Sequence, residues 1–284
     1  MSRNKDRVGA QNQNVETPAP MMQNATEGFS FVVPTEFVEL PSGGKYYPPG
    51  HPLHNEETIE IKQMTAKEED ILTSRSLLKK GVALDRVIAS LIVNKRINPD
   101  SLLVGDRNAI IIATRVSGYG PRYDTKVTCP ACGEIQQYSF NLKEGKVYDG
   151  ADMSDLDVTN NNNGTFTVEL PKTKINVTFK LLTGTDEKGF MNAMKNEKKG
   201  NNGLERNMTR QIANIVVAVN SDNSADARNY LINNIPSMDS RHLRLAYRLA
   251  APNIDLTQSF ECGECDFVQD MEVPLSADFF WPDT

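Results

Sequence analysis

Four cysteines stand in two pairs, Cys129-Pro130-Ala131-Cys132 and Cys262-Gly263-Glu264-Cys265, each with two residues between its thiols. That spacing lets one tight turn aim two sulfurs at a single point. Two such turns facing each other supply the four thiolates of a tetrahedral site, with zinc–sulfur distances of about 2.3 Å. Four thiolates close the coordination shell. The expectation is therefore a structural zinc ion on Cys129, Cys132, Cys262 and Cys265 that contributes folding energy and no catalysis. Other uses of the pairs fit less well. A thioredoxin-like redox pair opens a helix, whereas Gly133 and a strand-like run follow Cys132. Disulfides belong to oxidising compartments, and the leading MSRNKDRVGAQNQNVETPAP has no apolar signal-peptide core. A catalytic zinc keeps a position open and draws on histidine or carboxylate ligands.

Each pair lies between strand-like runs, Tyr123–Thr128 and Glu134–Leu142 around the first, Asp255–Glu261 and Phe267–Val273 around the second. Each is thus the tip of a hairpin, with Gly133 and Gly263 supplying the backbone torsions of the turns. About 130 residues separate Cys132 from Cys262, where an ordinary zinc ribbon leaves about 15 to 20. The ribbon is split, residues 123–142 and 255–275, and interrupted by an insertion, residues 143–254, whose ends must return to one place. Within the insertion, 143–163 reads as an acidic, Asn-rich loop, followed by a strand pair, Thr165–Leu170 and Ile175–Leu181. Four helical patterns come next: Asp186–Glu197, Leu204–Asn220, Ala225–Asn233 and Ser240–Ala250.

Before the ribbon, residues 31–122 read as an N-terminal α+β region. Strands at Phe37–Leu40 and Thr58–Lys62 flank the turn chemistry of Pro41-Ser42-Gly43-Gly44. The capping box Thr65-Ala66-Lys67-Glu68 starts a helix over Ala66–Ser76. A second helix runs from Asp85 to Val93 with Val87, Ile88, Leu91 and Ile92 on one face. A third, capped by Asp100-Ser101 or Asp106, carries Ile110–Ile112 to Gly118. Residues 1–30 are polar and Pro-rich with one aromatic, Phe29, and read as a disordered tail. Residues 276–284 form an aromatic C-terminal segment, Phe279-Phe280-Trp281-Pro282, that closes the chain's own core or anchors in a partner groove. The fold class is α+β: short strands and helices around a split zinc ribbon.

Composition narrows the function. Lys plus Arg total 31 against 37 Asp plus Glu, a net charge of −6. Nucleic-acid binding rests mainly on phosphate neutralisation by a basic surplus, so nucleic acid is a disfavoured partner, though a split-ribbon nucleic-acid binder stays the alternative. No apolar run approaches the roughly 20 residues of a membrane span. His51 and His54 sit in a Pro-rich loop and read as solvated. Lys67-Glu68-Glu69-Asp70 complements the dipole of the helix it opens. Gly43-Gly44-Lys45 lacks the spacing of a phosphate loop. No acid, base or nucleophile cluster marks an enzyme or a small-molecule substrate.

The run Phe37-Val38-Glu39-Leu40-Pro41-Ser42-Gly43-Gly44-Lys45-Tyr46-Tyr47-Pro48 resembles the opening of the T4-like bacteriophage baseplate protein family. So do Ile59-Glu60-Ile61-Lys62, Met64-Thr65 and Glu68-Glu69-Asp70-Ile71-Leu72. The resemblance is best over residues 35–135 and around the second cysteine pair, and weak over 143–250. It implies a hub subunit or hub-assembly factor of the contractile-tail baseplate. Its partners would be other baseplate and tail proteins, its location the virion tail or the host cytoplasm during assembly. It implies no catalytic residues. The tail, the Tyr46–Tyr47 loop and the C-terminal aromatics are the contact candidates, with Tyr46 and Tyr47 expected to be replaceable without loss of folding.

Overall fold

Strand β1 (Thr35–Glu39) pairs antiparallel with β2 (Thr58–Lys62), whose apolar and polar residues alternate, and buries Val38 opposite Ile59. The computed structural model describes residues 33–150, 153, 156–197, 207–275 and 277–280. By its contacts the chain divides into Met1–Val33 and Pro34–Thr284. The expected disordered tail, residues 1–30, and the C-terminal Trp281-Pro282 lie outside the described residues.

Helix α1 (Ala66–Thr73) begins at the expected capping box but stops earlier than expected. The chain is extended at Ser74 and restarts as α2 (Arg75–Lys80). Thr73 and Ser74 are poor helix formers whose hydroxyls compete for backbone groups, and Thr73 Oγ1 donates to Glu69 O at 2.9 Å. Helix α3 (Ala83–Leu91) buries Val87, Ile88 and Leu91 as the periodicity demands, with Ile92 buried just beyond it. Helix α4 (Val104–Tyr119) is not capped by Asp100, Ser101 or Asp106. Leu103 is its N-cap, without a side-chain cap, and Asp106 turns inward and is fully buried.

The first hairpin is β3 (Arg122–Thr128) against β4 (Ile135–Asn141). The expected loop at 143–163 contains two short strands, β5 (Lys146–Tyr148) and β6 (Thr159–Asn160). Strands β7 (Thr165–Glu169) and β8 (Asn176–Lys180) form the expected pair. Helix α5 (Gly184–Glu197) follows, then α6 (Asn207–Ile215), which gives way to strand β9 (Val216–Val219) where the periodicity predicts helix as far as Asn220. Val216, Val217 and Val219 lose side-chain freedom in a helix, and β9 pairs antiparallel with β8. The sheet order is β6-β7-β8-β9. Helices α7 (Ala225–Asn234) and α8 (Ser237–Ala250) lead into β10 (Asn253–Asp255), β11 (Thr257–Glu261) and β12 (Val268–Glu272). The class is mixed α+β, with eight α-helices and short antiparallel strands among the described residues.

One cluster of buried side chains runs through these elements, from Leu40 and Ile61 through Ile110 to Phe166, Phe179, Leu243 and Phe260. At its centre the rings of Phe166 and Phe179 stack at 5.5 Å. The contact that positions the hairpins is small. Strand β4 runs through the turn Leu142–Glu144 into β5, and β10 runs into β11. Strands β5 and β10 pair antiparallel, Val147 opposite Ile254. The two hairpins are therefore rooted at one ladder, where the long excursion between them closes.

Candidate metal centre

The two hairpin tips share one backbone plan. In the first, the Cys129 amide donates to Glu134 O at 2.8 Å and the Gly133 amide to Cys129 O at 2.9 Å. In the second, the Cys262 amide donates to Phe267 O at 2.9 Å and the Asp266 amide to Cys262 O at 3.1 Å. The residue after each second cysteine takes a left-handed conformation, Gly133 with φ 77° and Asp266 with φ 53°. Glycine adopts it without a Cβ clash, and aspartate is among the few other residues that tolerate it. Gly263, expected to serve the second turn, is not the left-handed residue there.

Cys129 Sγ lies 3.8 Å from Cys265 Sγ and Cys132 Sγ lies 3.8 Å from Cys262 Sγ, so each pair spans the two hairpins. All four sulfurs lie within 4.8 Å of one another, with Cys129 and Cys262 buried and Cys132 and Cys265 exposed. All are free thiols, at separations far beyond the roughly 2.05 Å of a disulfide. A tetrahedron with metal–sulfur bonds of about 2.3 Å has edges of about 3.8 Å. The donor set is thus spaced to hold a thiolate-preferring ion. The amides of Cys132 and Ala131 stabilise negative charge on Cys129 and bring its thiol down to about 7. At Cys265 the Phe267 amide acts the same way, but partial desolvation and the three neighbouring sulfurs outweigh it and push the thiol up to about 12.

Side-chain amides clip the hairpins together where no backbone ladder does. Gln136 Nε2 donates to Glu261 O at 3.2 Å, and Gln136 Oε1 accepts from the Gly263 amide at 3.0 Å. Gln258 Nε2 donates to Asn141 O at 2.9 Å and its Oε1 accepts from the Asn141 amide at 3.1 Å. Tyr138 donates to Ser259 O at 3.1 Å and packs edge-on against Phe260. Near the root of the first hairpin lies Arg115 of α4, a buried guanidinium that donates to Phe279 O, Gly120 O and Arg122 O at 2.6, 2.8 and 3.1 Å. None of these polar residues stands out in the sequence. Their task is set by position relative to a distant strand, which no local pattern carries.

Several expectations outside the cysteines change. Tyr47 is buried, its hydroxyl donating to Asp106 Oδ2 at 2.7 Å and accepting from the Leu103 amide at 3.0 Å. Tyr46 packs against Phe166 at 5.6 Å. Tyr47 is part of the core wall and not a dispensable contact residue, because its buried hydroxyl satisfies the buried Asp106 carboxylate and the Leu103 amide, while Tyr46 stays half-buried against the core. Phe279 and Phe280 are buried as well and close the chain's own core. His51 is half-buried instead of solvated, stacked on Tyr47 at 4.4 Å and 2.8 Å from Ser101 Oγ. His54 Nδ1 lies 2.7 Å from Tyr47 O. Glu68 does more than complement a dipole, since it is buried and accepts from the Thr65 amide, the Thr65 hydroxyl and Ser90 Oγ.

No helix among the described residues is long and apolar enough to cross a membrane. No curated protein and no solved structure matches the chain. The family described as T4 bacteriophage base plate protein matches residues 33–281, including the stretch 143–250 where the motif resemblance is weak. That span takes in the Ser42–Tyr47 segment seated on α4, both hairpins and the buried Phe279-Phe280. With almost its whole described length covered, the chain belongs to the T4 bacteriophage base plate protein family.

Proposed function

We propose that this chain is a hub subunit or hub-assembly factor of the phage tail baseplate, working by protein binding and not catalysis. One zinc ion on Cys129, Cys132, Cys262 and Cys265 staples the split ribbon. The observation that carries the reading is the meeting of four sulfurs from two distant hairpins within 4.8 Å of one another, with two of their separations at the edge length of a thiolate tetrahedron. Four thiolates this close repel one another and stay protonated in part unless a cation lies among them. With every coordination position taken by sulfur, such an ion leaves no place for a substrate. Family membership supports the baseplate role. The net charge of −6 weighs against the alternative, a nucleic-acid-binding zinc ribbon.

The test begins with the metal content of protein purified under reducing conditions. One zinc per chain is expected, and cobalt substitution is expected to give the visible bands of tetrahedral thiolate coordination. Phage carrying Cys262→Ser are expected to yield few complete baseplates. Mass spectrometry of finished particles then separates a resident subunit from an assembly factor. Metal-free protein, or normal baseplates from the Cys262→Ser phage, would defeat the staple.

A further inference from the structure

Helix α8 carries Arg241, Arg244 and Arg248 at spacings of three and four residues, which puts them on one face over about 10 Å of helix axis. They border a cleft of about 850 Å³ enclosed by α5, α6 and α8. Its apolar surface comes from Phe190, Met191, Ile215 and Leu245. None of the three arginines is in an ion pair among the described residues. Arg241 and Arg248 are exposed, and Arg244 Nη1 reaches Met208 Sδ at 3.2 Å. The carboxylates in the cleft are already committed. Asp186 is held by Lys180 and Thr183, and Glu187 lies 3.5 Å from Arg107. The cleft thus combines an apolar floor, a row of guanidiniums outside any ion pair, and a half-exposed methionine, Met191, with a second, Met208, beside Arg244. Methionine is flexible and polarisable and adapts to a partner's side chains.

We propose that this cleft docks an acidic amphipathic helix of another tail protein, its apolar stripe on the floor and its carboxylates at i, i+3 and i+7 facing Arg241, Arg244 and Arg248. The argument is charge complementarity. A guanidinium row at helical spacing matches carboxylates at the same spacing on a second helix, and a groove between helices is the usual seat for an amphipathic one. Nucleic acid is the poorer occupant, because the apolar floor offers a sugar-phosphate backbone nothing to bind, whereas it matches the apolar stripe of an amphipathic helix. The inference rests on the chain's acting by protein binding. Its test uses purified protein and so fails or succeeds apart from baseplate assembly.

The probe is a fluorescein-labelled 14-residue peptide with leucines at i, i+3, i+4 and i+7 and glutamates flanking them. Its controls are a scrambled version, a lysine-for-glutamate version and an oligothymidine of matched charge. Anisotropy is expected to show saturable binding of the glutamate peptide that weakens as salt rises. Arg241→Glu/Arg248→Glu is expected to weaken it at least tenfold and to bind the lysine peptide instead. Because both side chains are exposed, unchanged circular dichroism and melting temperature confirm that the variant folds. No binding, equal binding of the scramble, indifference to the double variant, or preferential binding of the oligothymidine would each overturn the proposal.

Discussion

Asp106 is a fully buried carboxylate in no ion pair among the described residues, held by three hydroxyl or amide donors from the segment that precedes it. The Ser42 amide reaches Oδ1 at 3.0 Å, and the Ser42 and Tyr47 hydroxyls reach Oδ2 at 2.7 Å each. Burial raises its pKa even so. Tyr47→Phe keeps the ring stacked on His51 but strips one donor from Asp106 and leaves the Leu103 amide without its acceptor. An unsatisfied buried group costs about 1–3 kcal/mol, so the urea midpoint is expected to fall by that equivalent; an unchanged midpoint would mean the hydroxyl contributes nothing. Glu68 titrates in the opposite sense. Burial alone would raise its pKa, but the hydroxyls of Ser90 and Thr65 and the Thr65 amide hold it below the ordinary value. Its contribution to stability is therefore present above the unfolded carboxyl pKa and lost as pH falls through the lower folded value. Glu68→Gln is expected to be less stable than the parent at pH 7, with the gap closing as pH drops below about 4. A constant gap across that range would show that Glu68 acts only by packing.

At the scale of elements, two glycines in helices test opposite expectations. Gly105 lies in the first turn of α4 where the backbone of Pro252 crosses it. A Cβ there would sit 1.9 Å from Pro252 O, so helix and chain must part. Gly105→Ala is expected to destabilise by about 1–3 kcal/mol through overpacking, read as a lower melting temperature. Gly189 lies in α5, and a Cβ added to it would meet nothing within 4 Å. Gly189→Ala is expected to stabilise by about 0.5–1 kcal/mol, because alanine loses less backbone entropy in a helix. Equal effects at the two sites would contradict the close approach of α4 to Pro252. These elements differ in how well local sequence announces them. Helix α3 is legible because Val87, Ile88 and Leu91 repeat at the helical period, and the β7–β8 pair because its residues alternate. Strand β9 is not, since Ile212 and Ile215 carry a helical spacing straight into the valines, and only the free edge of β8 decides where the helix ends. The cysteine pairs are legible for the same reason as α3, because a knuckle is local. The glutamine clips and Arg115 are not, because their partners lie more than a hundred residues away along the chain or are bare carbonyls.

For the whole molecule, the question is what returns the chain to its starting place after so long an excursion. The β5–β10 ladder has only three residues on each side, and Lys146-Val147-Tyr148 has too short an alternation to declare itself. A ladder that short is a weak lock, and the hairpins above it are largely exposed, with Ile135 and Val268 bare at corresponding positions after the two cysteine pairs. On the proposed function, a zinc clasp beyond the ladder would carry much of the closure. A ligand that binds only the folded state at a thousand times its Kd stabilises by about 4 kcal/mol. For a chain of this size that corresponds to a rise in melting temperature of roughly 10 °C. Chelation of the zinc-loaded protein is expected to remove that increment in a calorimetric scan. Hydrogen exchange of the chelated protein, held below its new transition, should lose protection first at 122–141 and 257–272. Amides of β7, β8 and α8 should stay protected, since they pack around Phe166, Phe179, Leu243 and Ala246 in a sheet and helix separate from the two hairpins. If the hairpins kept their protection and the transition did not move, the glutamine clips and the short ladder would suffice to close the molecule, and the four sulfurs would be close for some other reason.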